Sequence, residues 1–126
     1  MTVKTFTAQV PALSATGTAF TLTAAGADGD TMPVSDTMRT LVVIANSDSD
    51  AHSVTFQSNP DEWGNTGTGV DKVITVPGTA GDPTVVIVGP LMPNRFANAE
   101  GACVLTYDAG VADMSIGVVN VPNASL

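Results

Sequence analysis

The sequence predicts an all-β protein: a single-domain β-sandwich or jelly-roll-like barrel of about eight mostly antiparallel strands. Three observations carry that expectation. Helix formers are scarce, with only two Glu and two Gln, while Thr and Val are abundant. Twelve Gly and eight Pro break the chain into short runs. Within those runs apolar and polar residues alternate with period two, the signature of strands with one buried face.

The elements follow in order. In the first strand, Val3 to Val10, the residues Phe6, Ala8 and Val10 share one face, and Thr5, Thr7 and Gln9 the other. In the second, Phe20, Leu22 and Ala24 oppose Thr21 and Thr23. The run Leu41-Val42-Val43-Ile44-Ala45 is apolar on both faces, as a central strand requires. Val54 and Phe56 alternate with Ser53, Thr55 and Gln57. Further strands are expected at Lys72 to Val76, Thr84 to Val88, Ala102 to Tyr107 and Met114 to Val121. Asn46 to Ala51 reads as a hairpin turn between two strong strands, because Asn and Asp tolerate turn geometry. Asp108-Ala109-Gly110 is expected to open a last hairpin. After Thr84 to Val88, Pro90 and Pro93 should stop the ladder, Phe96 should fold back as an anchor, and Gly101 should admit the chain where a side chain would clash.

At 126 residues the chain is expected to form one domain, 1–126, with 1–12 and 121–126 as arms available to neighbouring subunits. Aromatics make up 5%, so the core must be largely aliphatic. The formal net charge is −8, with Lys4, Arg39, Lys72 and Arg95 as the only Lys and Arg. That balance argues against binding to a nucleic-acid backbone or to an anionic membrane, both of which need clustered cations. It favours solubility or docking on a basic protein surface. No secretory signal and no membrane-length apolar run is visible, so synthesis in a cytosol is expected.

Nothing in the sequence assembles a catalytic centre, and no enzyme activity or cofactor is expected. His52 is the single histidine and lacks a nucleophile motif, so it reads as a strand-end residue sealing the core. Cys103 is the single cysteine, in phase with Leu105 and Tyr107, and reads as buried packing. Asp28-Gly29-Asp30 and Asp48-Ser49-Asp50 hold fragments of a calcium loop without the later bidentate Glu, so they read as solvated turns and no metal site is assigned. Asn123-Ala124-Ser125 is a sequon without a secretory context. The stretch Ser58 to Gly69 shows no alternation and carries Trp63 beside Asp61 and Glu62. Trp is enriched where interfaces gain most of their energy, so Trp63, Asp61 and Glu62 are candidate partner contacts, against the alternative of a loop tucked over one end of the sandwich. Val3 and Phe6 are added to them, because an N-terminal edge strand invites strand addition.

One stretch also carries a resemblance. Asn46 with Asp48-Ser49-Asp50-Ala51-His52-Ser53-Val54-Thr55, Val73 to Pro77, Val88-Gly89-Pro90, Arg95 to Gly101 and Val104-Leu105-Thr106-Tyr107 together resemble small tailed-phage structural proteins of the capsid decoration, or cement, type. The resemblance implies attachment to the exterior of an assembled capsid, at junctions of the major capsid protein. It also implies homo-oligomers, with trimers favoured, and clamping by multivalent burial and strand addition. A phage neck, tail or fibre component is the alternative within the same class. A carbohydrate-binding module is the alternative outside it, weakened by the presence of only one Trp and one Tyr.

Overall fold

The computed structural model describes residues 4–11, 19–59, 71–108 and 111–122. Ten strands are described: β1 (Lys4–Thr5), β2 (Ala8–Gln9), β3 (Thr23–Ala24), β4 (Asp30–Pro33), β5 (Arg39–Asn46), β6 (His52–Phe56), β7 (Lys72–Val76), β8 (Thr84–Leu91), β9 (Ala102–Tyr107) and β10 (Met114–Val121). A four-residue helix, α1 (Pro93–Phe96), lies between β8 and β9. One sheet runs β1-β4-β9-β6-β7 and the other β2-β10-β5-β8, with β3 also on β10. All pairings are antiparallel except β1 on β4 and β2 on β10.

The topology follows a simple rule. β6 pairs with β7, β5 with β8, β4 with β9 and β3 with β10. The chain from β3 to β10 is thus one long hairpin folded between β6 and β7. Rolling it up brings β10 against β5 and β9 against β6. That is the jelly-roll order, and it explains why consecutive strands so often change sheet.

Between the sheets lies an aliphatic core. Val42 and Ile44 of β5, Met114, Ile116 and Val118 of β10, Val54 and Phe56 of β6, and Met32, Leu105 and Val76 from their strands are all at most 1% exposed. Each such side chain contributes roughly 1.5–3 kcal/mol. Leu91 and Phe96 close one end of this core. Pro93 starts α1, where its missing N–H costs nothing, and Phe96 at the helix end turns inward as the expected anchor.

Several expectations need correction. The Asn46 to Ala51 turn is not a hairpin: β5 and β6 lie in different sheets, so the turn is a crossover. The same holds for β9 and β10. The N-terminal strand is two short strands, β1 and β2, on different sheets, with Phe6 between them. Phe6 is 5% exposed and belongs to this chain's own core, which removes it as a partner contact. In the second strand only Thr23–Ala24 is paired, and Phe20 and Leu22 stay 42% and 39% exposed. Pro90 does not end β8, which continues to Leu91; β8 is an edge strand, where a residue without an N–H is tolerated. Gly101 has open space around it, and its positive φ of 75° is the reason for glycine there. Val3, Asp61, Glu62, Trp63 and the tail 123–126 lie outside the described residues.

Candidate functional site

The rolled hairpin sorts the loops to two ends. Of the described residues between strands, 25–29, 47–51, 77–83 and the segment formed by 108 and 111–113 lie at one end, and 34–38, 57–59, 71 and 92–101 at the other. The first end carries Asp28, Asp48, Asp50, Asp82, Asp108 and Asp113, with no Lys or Arg in those four segments. At the other end, among the described residues, Asp36, Asp71 and Glu100 are matched by Arg39, Lys72 and Arg95. Among the described residues the charge is therefore uneven: the first end, which Lys4 reaches through its pairing with Asp30, is acidic, and the other is close to balanced.

The acidic end is tightly tied together. Asn46 is fully buried. Its side-chain nitrogen donates to the carbonyls of Asp50 at 2.9 Å and Pro77 at 3.2 Å, and its Oδ1 accepts the Asp48 N–H at 3.0 Å. The Thr79 N–H donates to the Asp48 carbonyl at 2.8 Å, and the Ser47 N–H to that of Asp113 at 3.0 Å. Gly78 lies against the Ser49 backbone so closely that any Cβ would collide. Three of the four acidic loops are joined to one another in this way through their backbones.

His52 sits in this cluster, and not as a seal on the core. Its Nε2 lies 2.6 Å from Asp48 Oδ2 and its Nδ1 lies 3.0 Å from Asp108 Oδ1. Asp108 Oδ2 also accepts the Ser53 N–H at 2.8 Å. A neutral imidazole has one N–H and satisfies one of these carboxylates; an imidazolium satisfies both. The hydrogen bond to Asp48 accordingly raises the His52 pKa above its ordinary value, with the Asp108 charge adding to it. The same bond lowers the pKa of Asp48. With both ring nitrogens engaged, His52 has none left to activate a nucleophile. The arrangement is a charged clasp between the β5–β6 and β9–β10 crossovers. The turns read as solvated are thus structured, and Asp48 is part of the clasp.

A second polar group is buried between the sheets. Asp30 is fully buried, and its Oδ2 accepts from the Gly26 N–H at 2.8 Å and from the Tyr107 hydroxyl. Asp30 Oδ1 has no partner. Burial, then the bond to Asp30, pushes the Tyr107 pKa up. Asp30 was expected in a solvated turn and instead anchors the start of β4. Cys103 is buried as expected, and burial pushes its thiol up to about 12. Among the described residues no group of three or more His, Cys, Asp and Glu is placed to hold a metal ion. No described helix is long and apolar enough to cross a membrane.

The two outer faces differ in chemistry. On the β4-β9-β6-β7 sheet the outward rows are rich in hydroxyls, including Thr31, Ser53, Thr55, Thr75 and Thr106, and Thr5 of β1 meets Thr31 at 3.0 Å. On the other sheet the outward positions are Leu41, Val43 and Ala45 of β5, Val85 and Ile87 of β8, and Gly117 and Val119 of β10. Val85 is 54% exposed and Ile87 70%. The Phe20 ring lies over Gly117, where no Cβ fits beneath it. This aliphatic face was not read from the sequence. The signal was present in the non-alternating runs at 41–45 and 84–88, which mark strands apolar on both sides.

No protein-family model, curated protein or solved structure matches the chain.

Proposed function

We propose that this protein is a structural component of a virion, binding the outer surface of an assembled phage capsid and stabilising it at junctions of the major capsid protein. It is a docking body and not an enzyme. The observation that carries this reading is the polarised charge: among the described residues, six carboxylates lie on four loops at one end, two of them, Asp48 and Asp108, held by the His52 clasp and by backbone N–H groups, against a near-balanced opposite end. An array of one sign suits a basic protein surface, and the two held carboxylates lose little freedom on binding. The corner that carries the resemblance supports the reading as well: Phe96 is 7% exposed, and the Asn59 side chain ties the corner to the β6–β7 loop through the Ala97 carbonyl at 2.7 Å.

The test is co-sedimentation of purified protein with undecorated capsids across a salt series. Fixed stoichiometry that weakens with salt is expected, since exposed charges are screened over about 8–10 Å at physiological ionic strength. Asp28→Asn/Asp50→Asn/Asp82→Asn should weaken attachment, whereas Asp36→Asn/Glu100→Gln at the other end should leave it unchanged. Absence of binding, or equal effects from the two sets, refutes the reading.

A further inference from the structure

We propose that two copies of this chain pair face to face through the aliphatic outer face of β5 and β8 and the half-exposed Phe20 ring that covers Gly117 of β10, related by a two-fold axis over Val43. This goes beyond capsid attachment and does not depend on it. The face is ordered in rows across the strands: Ser115-Ala45-Val85, then Gly117-Val43-Ile87, then Val119-Leu41 beside Gly89. Val43 stands at its centre. Four positions away on β5, in the outward phase, is Arg39 at one end, and four positions away in the other direction is Ser47. The Ser47 N–H and hydroxyl both donate to the carbonyl of Asp113, which is exposed and two residues before the outward Ser115.

The face is thus an aliphatic centre with a cation at one end and an anion at the other. That order selects both the occupant and its orientation. A two-fold axis across the strands reverses one copy, so Arg39 of each lies over the Ser47–Asp113 end of the other, while Ile87 meets its own copy near the axis. An axis along the strands would instead stack acidic end on acidic end and Arg39 on Arg39. Like charges at that range oppose association. Self-complementarity under a two-fold axis is the property of an isologous interface.

Area sets the expected strength. Three strands at about 4.8 Å spacing and eight residues at about 3.4 Å give roughly 400 Å² per copy. The total of roughly 800 Å² lies below the standard size of specific interfaces and in the range of weak, transient ones. The dimer should therefore be weak and rapidly reversible, with a dissociation constant on the order of 100 micromolar or above. Pairing by twos differs from the trimers that the capsid resemblance implies.

The measurement is sedimentation velocity of the full purified chain over a concentration series, with no capsid present. Wild type should shift reversibly from monomer to dimer. Ile87→Glu should raise the dissociation constant at least about tenfold, as expected for a central apolar contact. Because Ile87 is 70% exposed the core is untouched, and Ile87→Thr, which keeps a branched strand former, should weaken the dimer with native circular dichroism. Arg39→Asp and Asp113→Arg should each weaken association, and the double exchange should restore it. A monomer at every concentration overturns the proposal. So does association indifferent to Ile87, or a charge exchange that fails to restore it. A protein that stays monomeric while Ile87→Glu abolishes capsid binding also overturns it, by assigning the face to the capsid protein.

Discussion

Replacing Tyr107 by Phe removes one hydroxyl and no carbon, and the structure indicates what that should cost. Asp30 is fully buried, with one carboxyl oxygen lacking a partner and the other held by the Gly26 N–H and the Tyr107 hydroxyl. The substitution therefore withdraws one of two bonds from a group that water does not reach. An unmet buried acceptor costs about 1–3 kcal/mol. Since the Gly26 N–H remains, a loss of about 2 kcal/mol is expected. Equilibrium urea unfolding of the full chain measures it: the midpoint should fall and the slope should not change. Asp30→Asn and the double variant close a thermodynamic cycle. Because the two residues touch, their coupling should reach at least about 0.5 kcal/mol. A Tyr107→Phe variant as stable as wild type, or a coupling of zero, would show that the pair is not what fixes the start of β4 against β9.

Gly117→Ala should destabilise by about 1–3 kcal/mol in the same assay, because a Cβ there meets the Phe20 ring and, at 2.9 Å, the Thr21 carbonyl; a neutral outcome would mean that Phe20 does not rest on β10. Cys103, buried and with its thiol raised to about 12, should resist a thiol reagent in the native state and react fully once unfolded; rapid native labelling contradicts its placement. The His52 clasp should make stability depend on pH in two directions. His52 has its pKa raised, so its contribution is complete below the unfolded value of 6.5 and is lost as pH rises through the higher folded value. Asp48 has its pKa lowered, so its contribution is complete above 3.8 and is lost as pH falls below it. His52→Gln should flatten the alkaline side of a thermal-stability profile, and an unchanged profile refutes the clasp.

The positions of most strands were legible in the sequence, and their partners were not. Val54, Phe56, Cys103 and Leu105 are buried as their alternation predicts, and Val42 and Ile44 are buried within a run read as apolar on both faces. Alternation is a local property, however, and turn residues such as Asn46 and Asp48 state only that the chain reverses. Whether it returns in the same sheet or crosses to the other depends on pairings far along the chain, as β5 with β10 shows. The unbroken pattern from Thr5 to Val10 likewise hid the change of sheet at Phe6. The clasp was out of reach for the same reason: Asp48 and His52 are four residues apart, but Asp108 joins them only because β9 ends at the same edge of the roll. Asp30 and Tyr107 lie 77 positions apart and meet only through the β4–β9 ladder.

The rolled hairpin also explains why charge, hydroxyls and aliphatic surface fall on different sides of one small body. Strand pairing around a single fold point sends alternate connections to opposite ends, so acidic residues in every second loop accumulate together. That concentration carries a cost in repulsion, because six carboxylates share one end. Two features offset it: the imidazole of His52 between two of the carboxylates, and the backbone N–H groups of Ser49 and Asp50 that donate to Asp48 and of Ser53 that donates to Asp108. If the end served solubility alone, the same negative charge spread over the hydroxyl-rich face would do so with less repulsion and would need no clasp. On the proposed reading such a concentrated array meets a basic surface, while the outer face of β5 and β8, whose strands carry no carboxylate, is left for the proposed pairing of two copies.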